Sequence, residues 1–192
     1  MKNKNVLALL LFPLVVCSCA TKKKEQSSEE KNFPVLDFIK SQIADIDTSL
    51  YSIYKVVSTD SLNDTTYIKR EEFREAAKDF LNIPDLASAG YEGRYIEGKH
   101  FDETLNKVLI TYTPVNPEKE EIQRQEVLVN AAGDKVTNII IDQVNNTKDS
   151  TVQKKMLWQI DKSFQVTTIK QLPGRPETIS TLRVLWNEDE GQ

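Results

Sequence analysis

Two periodicities of apolar residues divide the chain. After residue 33 the spacing is helical, with apolar positions three, four and three apart at Leu36, Ile39, Ile43 and Ile46. This helix is expected to end near Asp47, because residues 50–58 are rich in tyrosine, valine and isoleucine and favour a strand. Turn chemistry at 60–64 and a short β-like piece at 65–68 then predict a hairpin.

A second helix is predicted over residues 71–82. Its apolar residues lie on one face, and they are Phe73, Ala76, Ala77, Phe80 and Leu81. Acidic side chains in its first turn would interact favourably with the helix dipole. Ile83 precedes Pro84, which pushes it out of the helical region, so the helix ends there.

From residue 107 the period changes to two and stays there. Six successive β candidates follow, at 107–113, 122–130, 135–144, 151–160, 164–172 and 178–187. In the clearest run Met156, Trp158 and Ile160 are expected on the core face, with Lys154 at its rim. The short turns between runs require antiparallel neighbours, since parallel crossovers need a dozen or more residues.

These elements predict an α+β fold. We expect a curved antiparallel β-meander of six or more strands, with the two helices of the N-terminal half packed on one face of it. Residues 33–192 are predicted to be a single globular domain, long enough to bury a core. At fold level this architecture resembles the half-barrel carriers that move lipoproteins to the outer membrane.

The N-terminus has a different pattern. Lys2 and Lys4 precede an apolar run of 11 residues that ends at Val16-Cys17-Ser18-Cys19. A membrane-spanning helix needs about 20 apolar residues, so the run indicates a signal peptide. With Ser18 before Cys19 and Val16 three places earlier, it resembles the lipobox of bacterial lipoproteins.

The lipobox resemblance implies that Cys19 receives a diacylglycerol and becomes the first residue after cleavage. It predicts a signal peptide at 1–18, a lipid anchor and flexible tether at 19–32, and the membrane as a partner. Ala20, where an aspartate would retain the protein in the inner membrane, implies the outer membrane. An ordinary secretory signal, or lipidation of Cys17 after β-branched Val16, fits the residues less well.

Composition narrows the function classes. Residues 1–18 contain two of the 25 basic residues and none of the 29 acidic ones, so the mature net charge is −6. An acidic domain is a poor candidate for binding nucleic acid. Both cysteines lie at the signal, so no disulfide is available to the domain.

Candidate chemistry is sparse. His100, the one histidine, lies in a polar stretch that is typical of a loop or strand edge. Zinc and iron sites usually need several His or Cys ligands, so we predict no metal and no cofactor. Glu118, Glu120 and Glu121 form a charged corner that we expect to be solvated. Trp158 and Trp186 are expected in the core, and are weak candidates for lining an apolar ligand pocket.

Three hypotheses follow for function. The first is a non-enzymatic envelope module that binds an apolar ligand or lipid between sheet and helices. The second is a protein–protein adaptor of an envelope assembly. The third, an enzyme, has no nucleophile–base motif to support it, and we predict that the chain is not an enzyme.

Overall fold

An open antiparallel sheet of nine strands dominates the described part of the computed structural model, residues 32–59 and 62–187. The first two strands are β1 (Ile53–Thr59) and β2 (Leu62–Ile68). The remaining strands are β3 (Tyr95–Asp102), β4 (Lys107–Pro114), β5 (Ile122–Asn130), β6 (Val136–Asn146), β7 (Thr151–Gln159), β8 (Ser163–Gln171) and β9 (Thr178–Leu185). The α+β class with an antiparallel sheet is therefore confirmed.

Strand order follows the chain except at one point. From one edge the order is β2-β1-β9-β8-β7-β6-β5-β4-β3, so the last strand pairs with the first. The short connections between β5 and β6 and between β8 and β9 contain Gly133 and Gly174 at φ 79° and 70°. Glycine takes this left-handed conformation without the steric cost that other residues have.

Three α-helical segments accompany the sheet within residues 32–59 and 62–187. They are α1 (Val35–Thr48), α2 (Arg70–Ala76) and α3 (Lys78–Leu81). The predicted stripe of α1 is buried at Ile39, Ile43 and Ile46. The single helix predicted at 71–82 is interrupted at Ala77, where ψ is 5° and the backbone leaves regular α geometry.

The register of the central strands shows which side chains share a side of the sheet. Trp158 of β7 lies opposite Ile139 of β6 and Phe164 of β8. Met156 lies opposite Ile141 and Val166 in the same strands. All six are buried, and they belong to the same hydrophobic cluster as the buried residues of the helices.

Two parts of the sheet go beyond the prediction. The hairpin β1–β2 was predicted without a partner strand, and it joins the meander through β9. Strand β3, which is exposed along most of its length, was not predicted as a strand. It is an edge strand with water on both sides, so its sequence has no apolar alternation.

The predicted signal peptide and most of the predicted tether lie outside the described residues. The same is true of Asp60 and Ser61, which separate the paired residues Thr59 and Leu62. In the parts of the chain that are described, no helix has the length and hydropathy needed to cross a membrane.

Candidate functional site

Both tryptophans lie in a cluster of five aromatic rings. The aromatic cluster consists of Phe73 from α2, Phe80 from α3, Trp158 from β7, Phe164 from β8, and Trp186. Trp158 stacks on Phe164 at 5.3 Å between ring centroids, and Phe80 meets Trp158 edge-on at 5.1 Å. These are contact distances for aromatic rings.

Both tryptophans are buried by contacts with the other rings of this cluster. The residues Trp158 and Trp186 are 0% and 4% exposed. Phe73 touches Trp186 edge-on at 5.2 Å and so joins the second tryptophan to the same group. The two side chains predicted as weak pocket candidates therefore contact other rings where a ligand would have to lie.

Three buried side-chain atoms have no hydrogen-bond partner among the described residues. They are Trp158 Nε1, Gln125 Nε2 and Arg70 Nε, and the Gln125 residue is 1% exposed. A buried donor without an acceptor costs about 1–3 kcal/mol. Most buried polar groups in proteins have a hydrogen-bond partner. A ligand atom that accepts a hydrogen bond would therefore be stabilised beside one of these donors.

A concavity of about 510 Å³ lies where α2 and α3 meet the β2 end of the sheet. We call it the α2 groove. Its lining residues are Lys55, Val57, Ile68, Glu71, Glu72, Glu75, Ala76, Lys78, Asp79 and Leu182. It combines an apolar floor from Val57, Ile68, Ala76 and Leu182 with a rim of charged side chains.

Local sequence fixes the orientation of α2 at this groove. Phe73 is fully buried in the aromatic cluster, which turns the acidic positions on either side of it outward. The Glu72 carboxylate also accepts the Lys69 backbone N–H at 2.8 Å, one half of a capping box. The helix therefore presents Glu71 and Glu75 as exposed carboxylates.

Four carboxylates and two lysines line the groove, an excess of negative charge. Lys78 Nζ lies 2.7 Å from Glu75 Oε1, and this hydrogen bond raises the pKa of Lys78. Asp79 Oδ1 lies 2.7 Å from Lys154 Nζ, the lysine predicted at the rim of the core face. With Lys154 counted, four carboxylates face three lysines, so the rim keeps a net charge of −1, a small bias toward a cationic partner.

Glu120, one of the three glutamates predicted to form a solvated charged corner, is instead largely buried. Its side chain is 7% exposed and forms a bidentate pair with Arg94, at 2.8 Å and 2.7 Å. The Arg94 guanidinium also lies 4.3 Å from the centroid of the Tyr91 ring. This pair fastens the start of β3 to the segment before β5, which is a structural role.

Tyr95 completes the contacts at this corner. Its hydroxyl donates to the Ile122 carbonyl at 3.1 Å, and Glu120 Oε2 lies 3.4 Å away. Burial, together with the Glu120 charge, raises the pKa of the Tyr95 phenol above its usual value. The contact with the Ile122 carbonyl makes the phenol a hydrogen-bond donor within the fold.

Among the described residues, His100 and the remaining acidic residues do not come together in a site. His100 is exposed on strand β3. Within the described residues, no group of three or more His, Cys, Asp or Glu side chains is placed to hold a metal ion. Two smaller concavities, of about 230 and 280 Å³, are lined largely by polar residues of β6, β7 and nearby turns.

Comparisons with known proteins add no relative. No protein-family model matches the chain, and neither a curated protein nor a solved structure matches it significantly. The functional argument therefore depends on the geometry of this chain. The α2 groove is the largest of the three concavities described above, and the sequence analysis missed it because Leu182 and Glu71 lie far apart in sequence.

Proposed function

We propose that this protein is a lipid-anchored protein of the cell envelope whose domain is a non-enzymatic module that binds another protein. The α2 groove is the observation that supports binding to another protein. The N-terminal sequence, with Lys2 and Lys4, the apolar run and Cys19, supports the lipid anchor. The chain from residue 20 to 32 would serve as a tether between the outer membrane and the domain.

Acylation is expected to depend on Cys19. Cys19→Ser should leave an uncleaved precursor that incorporates no labelled fatty acid, because the modified sulfur is missing. Cys17→Ser, two residues earlier, is the matched control and should be processed and labelled normally. Metabolic labelling with a clickable fatty acid measures both, and label that persists in Cys19→Ser would contradict the assignment.

We also propose that the sheet curves around the helices, so that α1, α2 and α3 pack on one face of it. The shared side of Trp158, Ile139 and Phe164 supports this, as do the edge-on contacts that Phe73 and Phe80 make with Trp158. On this arrangement the aromatic cluster is the inner layer, and the α2 groove is the opening beside it.

The proposed partner presents an apolar side chain flanked by lysine or arginine. Val57 and Leu182, paired across β1 and β9, supply apolar floor for such a side chain. The exposed Glu71 carboxylate would attract one flanking cation, and Glu75 would exchange its Lys78 partner for the other. Such attraction would raise the association rate. The groove volume of about 510 Å³ falls in the range of roughly 300–1,000 Å³ of small-molecule sites, so it has room for an apolar side chain of the partner.

An apolar ligand or lipid is the second candidate. The unpartnered Trp158 Nε1 favours it, because a ligand with one acceptor atom would satisfy that group. Such a ligand must displace rings already in contact, whereas a peptide in the α2 groove displaces none. Protein binding is therefore the better supported of the two.

Charge reversal at the groove distinguishes the two candidates. In intact cells, a photoreactive amino acid in place of Lys78 is expected to crosslink a discrete protein partner. Glu71→Lys with Glu75→Lys should reduce that adduct by about tenfold or more, since two attractive charges become repulsive. The matched control is Glu103→Lys with Asp134→Lys, an equal charge change at exposed turn residues, which should leave the adduct unchanged.

Two results would contradict the protein partner. One is an adduct that both double variants reduce equally, since that indicates attraction to the whole domain. The other is a lipid that copurifies in native mass spectrometry and is lost from a Trp158→Phe variant. The second result would support the apolar-ligand candidate instead.

A further inference from the structure

Strand β3 forms one edge of the sheet and presents backbone donors and acceptors outward. In the described residues it pairs with β4 alone. Just before β3, the Val115 N–H donates to the Arg94 carbonyl at 2.9 Å, so Arg94 and Val115 are a hydrogen-bonded pair of the antiparallel ladder. Antiparallel pairs alternate, so the outward N–H and C=O groups belong to the odd residues Tyr95, Glu97, Lys99 and Phe101.

Pro114 agrees with this alternation. It lies opposite Tyr95, at a position where the ladder requires no N–H, and proline has none. The outward-facing groups thus form a regular template for another strand. Apolar side chains accompany them, since Ile96 and Phe101 are 59% and 50% exposed.

Gly98 is unexplained by the monomer. It lies in the middle of β3, where glycine weakens a strand. Its φ is not in the left-handed region, and an added Cβ would have only an ordinary contact, 3.9 Å from the Thr111 carbonyl oxygen. A glycine inside a strand often marks a place where another backbone approaches closely.

We propose that β3 pairs antiparallel with β3 of a second copy of this chain, around a twofold axis at Gly98. A twofold axis perpendicular to the sheet keeps each face continuous, so residues of the same parity lie opposite each other. Gly98 then faces Gly98 of the partner, in a non-hydrogen-bonded pair with Cα atoms about 4.5 Å apart. The inference does not depend on the α2 groove, which lies at the opposite end of the strand order.

Charge selects this register. With the axis at Gly98, Glu97 lies opposite the partner's Lys99 and Lys99 lies opposite the partner's Glu97. Moving the axis one residue along the strand would place two glutamates or two lysines opposite each other, which is destabilising. In the chosen register Tyr95 also lies opposite the partner's Phe101, an aromatic cross-strand pair.

The interface is small. The eight residues of β3 per copy are fewer than the roughly 20–30 of a standard interface, so we expect a dimer that exchanges rapidly. Crosslinking captures such a dimer. The full chain carrying Cys17→Ser provides the background, because Cys19 is then its only native cysteine.

Single cysteines test the register. Gly98→Cys in the full chain should give a disulfide dimer on mild oxidation in membranes, since the paired Cα atoms lie within the range of roughly 4.4–6.8 Å that disulfides need. Glu97→Cys and Lys99→Cys are matched controls on the same strand. Each would lie about 9 Å from its own symmetry mate, so its yield should be at least about fivefold lower.

A charge swap tests the chemistry in the Gly98→Cys chain. Glu97→Lys alone and Lys99→Glu alone should each lower the dimer yield by roughly threefold or more, because each places like charges opposite each other twice. The double swap restores opposite charges with unchanged composition and should restore the yield. Equal yields at all three cysteine positions, no dimer from Gly98→Cys, or a double swap as poor as the single ones would overturn the proposal.

Discussion

Trp158→Ala is expected to lower the free energy of unfolding of the domain by about 3–5 kcal/mol, the usual cost of deleting a large buried ring. The side chain is fully buried and contacts Phe73, Phe80, Phe164 and Trp186. Its loss leaves a cavity among rings that belong to both helices and strands, and these have little freedom to close it. Chemical denaturation of residues 32–192, with and without the substitution, measures this loss.

Two further variants separate packing from polarity. Trp158→Phe keeps most of the ring and removes the unpartnered Nε1–H, so it should cost no more than about 1.5 kcal/mol. Gln153→Ala, on the same strand but exposed, should change stability by less than about 0.5 kcal/mol. A loss for Trp158→Ala as small as for Gln153→Ala would contradict the core role.

Gln159, next to Trp158 on the opposite face, is a less suitable control. Its Oε1 atom accepts a hydrogen bond from Ser163 Oγ at 2.7 Å, and Ser163 is buried. Removing this acceptor leaves a buried hydroxyl to find another partner. The alternation along β7 correctly predicted the faces of the strand, but not this hydrogen bond across the hairpin.

Four strands were predicted closely. In β4, β5, β7 and β8, the predicted bounds agree with the structure to within one residue at each end. The alternation is clear in β7, where Met156 and Trp158 are buried while Gln153 and Lys155 are exposed. In β5 it breaks at residues 127–129, which are all buried. The absence of a buried face explains why β3 was missed, since all of its residues except Tyr95 and Asp102 are exposed.

The charged contacts could not be predicted from spacing. Arg94 and Glu120 are 26 residues apart, and Asp79 and Lys154 are 75 apart. The first pair depends on the β5-β4-β3 order of the sheet, and the second depends on how α3 lies against β7. A run of glutamates in the sequence therefore gave no signal that Glu120 would be buried against Arg94.

The α2 groove was missed for a related reason. Its floor needs β1 and β9 as neighbours. These strands come from the two ends of the described chain, so their pairing is not visible in the local sequence. The sequence did predict the amphipathic helix over it, because Phe73 and Phe80 are spaced for one face. It did not predict that glutamates on the other positions would border an apolar floor.

Phe73→Ala is expected to have the second large effect, a loss of about 3–5 kcal/mol in the free energy of unfolding. Phe73 is fully buried and touches Trp158, Phe164 and Trp186 at 5.2 to 6.4 Å between centroids. Helix α2 has only seven residues, too few to be stable without tertiary contacts. Its place over the sheet depends on this ring.

Phe101→Ala is the matched control, the same truncation at an exposed residue of β3, and should cost less than about 0.5 kcal/mol at concentrations where the chain is monomeric. Hydrogen exchange of the α2 amides adds a local measurement. If Phe73 holds α2 on the sheet, these amides should lose protection in Phe73→Ala before global unfolding. A variant with full stability loss and unchanged local protection of α2 would show that the ring stabilises the core without anchoring the helix. The groove at α2 would then have to be held in place by other contacts, such as the Arg74–Asp47 ion pair with α1.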